Sequence, residues 1–295
     1  MASSSEHLRA DMRGTLFYKM TGSGNDFVML DGRATSPERW GPARVRAMCD
    51  RRKGVGADGL VILTPGTAGT VRMSHWNSDG SHGAMCGNAA LCSSRLSVYL
   101  EMVPPGEFCL LTDAGMVRVI SCSQADNAEI NLPDANLPRE VPDIRLMTGE
   151  QWMLLGTVGV PHLVVRVDNV EAVDVLSRGR QLRADPKLGP VGANVNFVSR
   201  KAQRSPWLIR TFERGVEGET LACGTGTVAA ALSLAARGEG DLPLTFQSRG
   251  GPELVVRGEI ESTQVTGIWL CGQGRLLFRG VWEGIDEEQP LGISS

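Results

Sequence analysis

The chain has 295 residues, of which 21% are charged, and a net charge of -3; it lacks the basic field that attracts a polyanion, so nucleic acid is excluded as a partner. Its length exceeds a single domain of roughly 100–150 residues and points to two cores. The N-terminal stretch is polar, no apolar run reaches a membrane span, and the seven cysteines have neither disulfide spacing nor a Cys-x-x-Cys; the expectation is a soluble, cytoplasmic protein with reduced thiols, no membrane partner and no metal.

Met1 to Arg13 has too little apolar surface to offset its ordering entropy and is expected to be a disordered tail. Leu16 to Met20 and Phe27 to Asp31 read as strands around the loop Thr21 to Asp26, which could hold a ligand. Pro37 at a first-turn position and apolar residues at helical spacing predict a helix over 36–50. The basic, Gly-rich run Arg51 to Gly59 reads as a solvated turn, and Leu60 to Leu63 and Val71 to Asn77 as strands. A small-residue helix follows from about Asn88 to Leu100, then strands up to Leu132, then a Pro-rich linker to Pro142.

The plan then recurs. Loop and strand over 157–168, a helix over about 170–182, strands at 194–198 and 207–213, a loop to Thr220, and a small-residue helix from Gly224 to Arg237 repeat the first half, before more strands and an unstructured end. The two copies keep one offset: 137 residues separate Cys86 from Cys223, Gly22 from Gly159 and Asp31 from Asp168, and 136 separate Gly56 from Gly192. Three junctions of the same type at one spacing indicate an internal duplication. The same offset pairs Asn25 with His162 and Asn77 with Arg214, so a symmetric scaffold would carry an asymmetric lining suited to a chiral, charged small molecule. Few helices among many strands predict an α+β fold of two pseudo-symmetric domains, each a mixed, barrel-like sheet around a central helix, with the active site in the cleft between them.

Cys86 and Cys223 stand at the two helix starts. The free N–H groups there favour thiolate over thiol, so both cysteines are expected to ionise easily. Inverting a carbon that bears hydrogen needs a base on one face and an acid on the other, and two equivalent thiols across a pseudo-two-fold axis meet that need. The helix-start N–H groups of Gly87, Asn88, Gly224 and Thr225 would hold a carboxylate and the charge that develops on it. A redox pair or a ligand-binding protein that kept the cleft is the alternative.

Gly22-Ser23-Gly24-Asn25-Asp26-Phe27, Gly56-Ala57-Asp58-Gly59, Asn77-Ser78-Asp79-Gly80, Met85-Cys86-Gly87-Asn88, Pro161-His162, Asn194-Val195-Asn196-Phe197, Glu213-Arg214-Gly215 and Glu219 to Gly226 resemble diaminopimelate epimerase, of the cofactor-independent group that includes proline racemase. The resemblance implies epimerisation of LL-2,6-diaminopimelate to the meso form in lysine and peptidoglycan precursor synthesis, without cofactor. It implies Cys86 and Cys223 as acid and base, His162 and Glu213 assisting beside the thiols, and Asn25, Asn77, Asn194 and Arg214 as substrate contacts, Arg214 binding the distal carboxylate bidentately. It also implies a first repeat of 14–131 plus 273–285, a second of 132–272 and a flexible tail at 286–295, and it admits a homodimer. Three positions depart from the family pattern: Val160 where asparagine is frequent, Thr21 where histidine is, and Leu91 where arginine is. Val160 removes a polar contact to the distal end, which leaves a racemase of another amino acid as the runner-up.

Overall fold

The computed structural model describes residues 14–67, 69–122, 126–200, 202 and 205–284, so both predicted tails, 1–13 and 286–295, lie outside the described residues. In the first half β1 (Thr15–Gly22) and β2 (Asn25–Asp31) precede α1 (Pro42–Cys49), β3 (Gly59–Pro65), β4 (Thr70–Asn77), α2 (Gly87–Tyr99), β5 (Gly106–Thr112), β6 (Gly115–Ser121) and β7 (Asn127–Asn131). The short strands β8 (Ala135–Asn136) and β9 (Arg139–Glu140) lead into the second half. There β10 (Glu150–Val158) and β11 (Val160–Val167) precede α3 (Val175–Arg183), β12 (Asn194–Arg200), β13 (Trp207–Glu213), β14 (Gly218–Thr220) and α4 (Gly224–Ala236). The chain closes with β15 (Leu244–Gln247), β16 (Glu253–Glu261), β17 (Gln264–Gln273) and β18 (Arg275–Trp282).

The helix α4 begins and ends 137 residues after α2, which is the offset read from the cysteines. Pairing repeats too: β2 runs parallel to β3, β11 to β12, β4 to β5 and β13 to β15, while the hairpins β1–β2 and β10–β11 are antiparallel. Each sheet curls around its small-residue helix. The first is flanked by β18 on β1 and by β17 on β7; the second by β9 on β10 and, at the far side, by β7 and β8 on β17. The last strand of each repeat therefore pairs with the last strand of the other, with Ile130 facing Leu270 across the seam, and the chain beyond each strand closes the opposite sheet.

Helices buried on every side have no room for long side chains, which explains the Ala, Ser and Gly content of α2 and α4. The hydroxyls of Ser93, Ser94, Ser97 and Ser233 stay satisfied in that core by donating to the carbonyl one turn back, at 2.7–2.8 Å. One apolar core runs through both sheets around α2 and α4, and two outer clusters lie under α1 and α3.

Five local expectations need correction. The helix over 36–50 is a 3-10 turn at Pro37–Arg39 and then α1, because Gly41 before Pro42 is driven to an extended ψ of 166°. The helix over 170–182 likewise splits, and Asp174 restarts it by accepting from the Ser177 N–H at 3.0 Å. The Pro-rich linker contains β8 and β9, which pair with β17 and β10, and the loop up to Thr220 contains β14, which folds back on β13 as a hairpin. The loop over 21–26 is a two-residue turn, with Ser23 at φ 51° and Gly24 at φ 103°; it is packed against Gly250, where an added Cβ would meet the Ser23 carbonyl at 2.2 Å.

Candidate active site

Cys86 and Cys223 occupy the same place in the two repeats. Each is the extended residue just before a central helix, at φ/ψ of -136°/121° and -131°/109°. Gly87 and Gly224 pack over the seam: a Cβ on Gly87 would lie 3.4 Å from Ile130 Cδ1, and one on Gly224 only 2.8 Å from Leu270 Cδ2. The helix starts thus converge on the facing pair Ile130 and Leu270, close enough for Cys86 to add a small rise to the Cys223 thiol.

The thiols are harder to ionise than their position alone predicts. Burial pushes the Cys86 thiol up, against the help of the Ala89 and Asn88 N–H groups, and Glu213 adds to the rise. Burial followed by the Glu213 charge pushes Cys223 up to about 12, against Thr225 and the Gly226 N–H. Helix-start N–H groups do favour thiolate here, but desolvation outweighs them. Burial raises the Glu213 carboxyl as well.

The two positions paired by the 137-residue offset, Asn25 and His162, do the same job. Asn25 Oδ1 accepts from Asn88 Nδ2 at 2.6 Å, and His162 Nε2 lies 3.1 Å from Thr225 Oγ1; Asn88 and Thr225 are the second residues of α2 and α4. Behind His162 the pattern of donors is fixed. Thr211 Oγ1 donates to Asn196 Oδ1 at 2.9 Å, so Asn196 offers Nδ2 to His162 Nδ1 at 3.3 Å, and the ring proton falls on Nε2. The chain of donors runs on through Thr225 to Cys223 Sγ, at 3.6 Å. His162 therefore approaches the sulfur through Thr225.

Burial, followed by the Arg214 charge, lowers the His162 pKa from 6.5 to about 3. A folded state that keeps this ring neutral loses stability as pH falls below the unfolded value, by about 1.4 kcal/mol per unit until the folded value is reached. Lowering pH from about 7 to about 4.5 is expected to cost about 2–3 kcal/mol through this ring. Urea midpoints at the two pH values check it: the drop should shrink by most of that amount in His162→Gln, and an equal drop in both proteins would refute it.

The distal candidates stand at strand ends: Asn77 ends β4, Asn194 begins β12 and Arg214 follows β13. Asn194 is buried and its Oδ1 accepts from the Arg214 N–H at 2.8 Å, which fixes the loop that carries Arg214. The Arg214 guanidinium reaches only the Val191 carbonyl, at 3.4 Å, and among the described residues it has no carboxylate within ion-pair distance. Asn77 is exposed at the end of β4 and donates to Ser81 Oγ at 2.9 Å. Of the departures, Leu91 is fully buried, Thr21 Oγ1 donates to the Asn25 carbonyl at 3.0 Å, and Val160 faces Val158 across the β10–β11 turn.

Sequence reading missed the groups behind Asn25. Asn25 Nδ2 donates to Asp58 at 3.0 Å; Arg51 bridges Asp58 and Asp26, both at 2.7 Å; and Lys19, buried, pairs with Asp26 at 2.6 Å. Arg51 lies in an exposed turn, as its basic, Gly-rich run predicts, yet its guanidinium joins two carboxylates, one of them Asp58 of the motif Gly56-Ala57-Asp58-Gly59. Asn196 and Thr211, behind His162, were missed for the same reason: partners that meet only across strands leave no spacing to read.

Comparison with known proteins shows the family and the fold. The family model described as "Diaminopimelate epimerase" matches residues 17–137 and 155–266. The chain is 39% identical to the diaminopimelate epimerase of Gemmatimonas aurantiaca, over 91% of this chain and 99% of that one, and 33% identical to that of Flavobacterium psychrophilum, over 88% and 97%. Its fold is similar to that of a phenazine biosynthesis protein of the PhzF family from Bacillus anthracis (TM-score 0.68, 12% identity, 92% of this chain and 99% of that one). A hydroxyproline epimerase from Agrobacterium vitis is similar in the same way (TM-score 0.63, 15% identity, 92% and 91%). The chain belongs to the diaminopimelate epimerase family.

Proposed function

We propose that the chain is an isomerase that interconverts LL- and meso-2,6-diaminopimelate, in the synthesis of lysine and cell-wall precursors, by a two-base thiol mechanism that needs no cofactor. One cysteine, as thiolate, takes the Cα proton; the other, as thiol, delivers its own proton to the opposite face, and the roles exchange for the reverse reaction. The observation that carries this reading is the equivalent placement of Cys86 and Cys223 before the two central helices.

The hard step is removing a weakly acidic proton next to a carboxylate. Backbone N–H groups of Gly87, Asn88, Gly224 and Thr225 bind that carboxylate and stabilise charge as it builds. The raised thiol pKa makes the thiolate a stronger base toward a weak carbon acid and also a scarcer one at neutral pH. Glu213 and His162 assist: the carboxylate faces the substrate ammonium, and the neutral ring orients Thr225 against Cys223. Asn77, Asn194 and Arg214 take the distal amino acid end, and Asn25 acts through Asn88, since both of its amide atoms are already held. Val160 is what keeps a second reading in view, a racemase of a different amino acid on the same scaffold.

Incubation of reduced protein with LL-diaminopimelate in deuterated water, beside a panel of single amino acids, tests the substrate. Deuterium at Cα with formation of the meso isomer is expected. Exchange confined to another amino acid would replace the substrate, and exchange on none would remove the enzyme reading. The same reading takes 14–131 with 273–285 as the first repeat and 132–272 as the second, holds the protein to be cytoplasmic and admits a homodimer, which light scattering checks.

A further inference from the structure

We propose that Asp58 is a positioning residue that sets which atom of the Asn88 amide is presented to the substrate, and that the atom presented, Oδ1, accepts from the ammonium on the reacting carbon. The inference rests on the two-thiol reading above.

An asparagine amide is ambiguous, since its two ends differ in polarity but hardly in shape. A carboxylate is unambiguous, because it only accepts. Asp58, paired with Arg51 at 2.7 Å, therefore requires Nδ2 of Asn25, at 3.0 Å. Asn25 must then turn Oδ1 to its other neighbour, and Asn88 must answer with Nδ2, at 2.6 Å. The last atom in the chain, Asn88 Oδ1, is left as an acceptor. It belongs to a residue only 4% exposed, and it is buried with no hydrogen-bond partner.

A buried acceptor without a donor costs about 1–3 kcal/mol, so it is placed where a ligand will meet it. Asn88 lies in the first turn of α2, and its own N–H is among those that favour the Cys86 thiolate. Donor N–H groups beside one fixed acceptor form the complement of an amino acid zwitterion: N–H for the carboxylate, carbonyl oxygen for the ammonium. Were the amide reversed, an NH₂ group would face the ammonium and repel it. Asp26, Arg51 and Lys19 act one step further back, by holding Asp58.

The decisive test exchanges the carboxylate. In Asp58→Asn the chain loses its polarity reference, and kcat/KM for LL-diaminopimelate is expected to fall roughly 10- to 100-fold, mostly through KM. In Asn25→Asp two carboxylates face each other, and activity should fall as well. The double variant N25D/D58N swaps amide and carboxylate between the two positions. The amide introduced at position 58 donates to the carboxylate introduced at position 25, that carboxylate accepts from Asn88 Nδ2, and Asn88 Oδ1 is presented as before. Recovery to within roughly threefold of the unsubstituted protein is expected, although the ion pair that Arg51 makes at position 58 is still missing.

Failure of the double variant to recover would overturn the inference, because Asp58 would then act only through Arg51; an unimpaired Asp58→Asn would overturn it too. Should Asp58→Asn not fold, recovery from Asn25→Asp to the double variant decides the same question. Absence of turnover by the unsubstituted protein overturns the substrate reading instead, and the four proteins are then compared on the amino acid it does exchange.

Discussion

Replacing either Cys86 or Cys223 by alanine is expected to lower epimerisation by at least roughly a thousandfold, as each removes one of the two proton-transfer groups. The informative result lies in what survives. With one thiol left, a substrate whose Cα proton faces that thiol can still lose it and take back a proton from the same sulfur, so deuterium exchanges without inversion. The single-thiol proteins should therefore exchange opposite stereoisomers: Cys86→Ala one, Cys223→Ala the other. NMR of recovered LL- and meso-diaminopimelate in deuterated water reads this directly. Near-full inversion in either variant, or exchange of the same isomer by both, would end the two-base mechanism. The experiment also separates a proton-transfer pair from a redox pair, which would show no such stereochemical division.

Where the chain dictates structure locally, it could be read. The central helices α2 and α4 follow from small residues and from one repeat distance, and β13 was bounded by its own alternation. Where structure is decided by distant partners, reading failed. The seam, in which β7 pairs with β17 and each repeat closes the sheet of the other, joins residues such as Ile130 and Leu270 that no local pattern links. The thiol chemistry divides along the same line. That Cys86 and Cys223 cap helices is local and was legible; that burial overrides the helix starts and raises both is a property of the assembled core. The offset nevertheless foretold more than position, since Asn25 and His162, matched only by arithmetic, prove to support the second residue of their respective helices. Of their own supports, Asp58 and Asn196 stand inside motifs, but their pairing with Arg51 and Thr211 comes from other strands and loops and has no spacing to read.

Arg214→Met is expected to lower kcat/KM for diaminopimelate by roughly 100- to 1,000-fold, with most of the loss in KM. The residue is half-buried, its guanidinium lacks a carboxylate partner among the described residues, and its charge lowers the pKa of His162. A cation without a carboxylate partner can be met by a carboxylate of the substrate, and the planar fork of arginine matches a carboxylate with two parallel hydrogen bonds. Losing one partner of a desolvated charged pair typically costs about 2–5 kcal/mol, which is where the magnitude comes from. Arg214→Lys keeps the charge but gives up the fork, so a loss of only roughly tenfold is expected there. The stringent readout is selectivity. If Arg214 holds the distal carboxylate, Arg214→Met should leave α-deuterium exchange of amino acids that have no distal carboxylate at its original level, however low, while exchange of diaminopimelate falls. Equal losses on both kinds of substrate would show that Arg214 serves the reacting centre instead, through its field on His162 and the thiols, and the distal end would need another receptor.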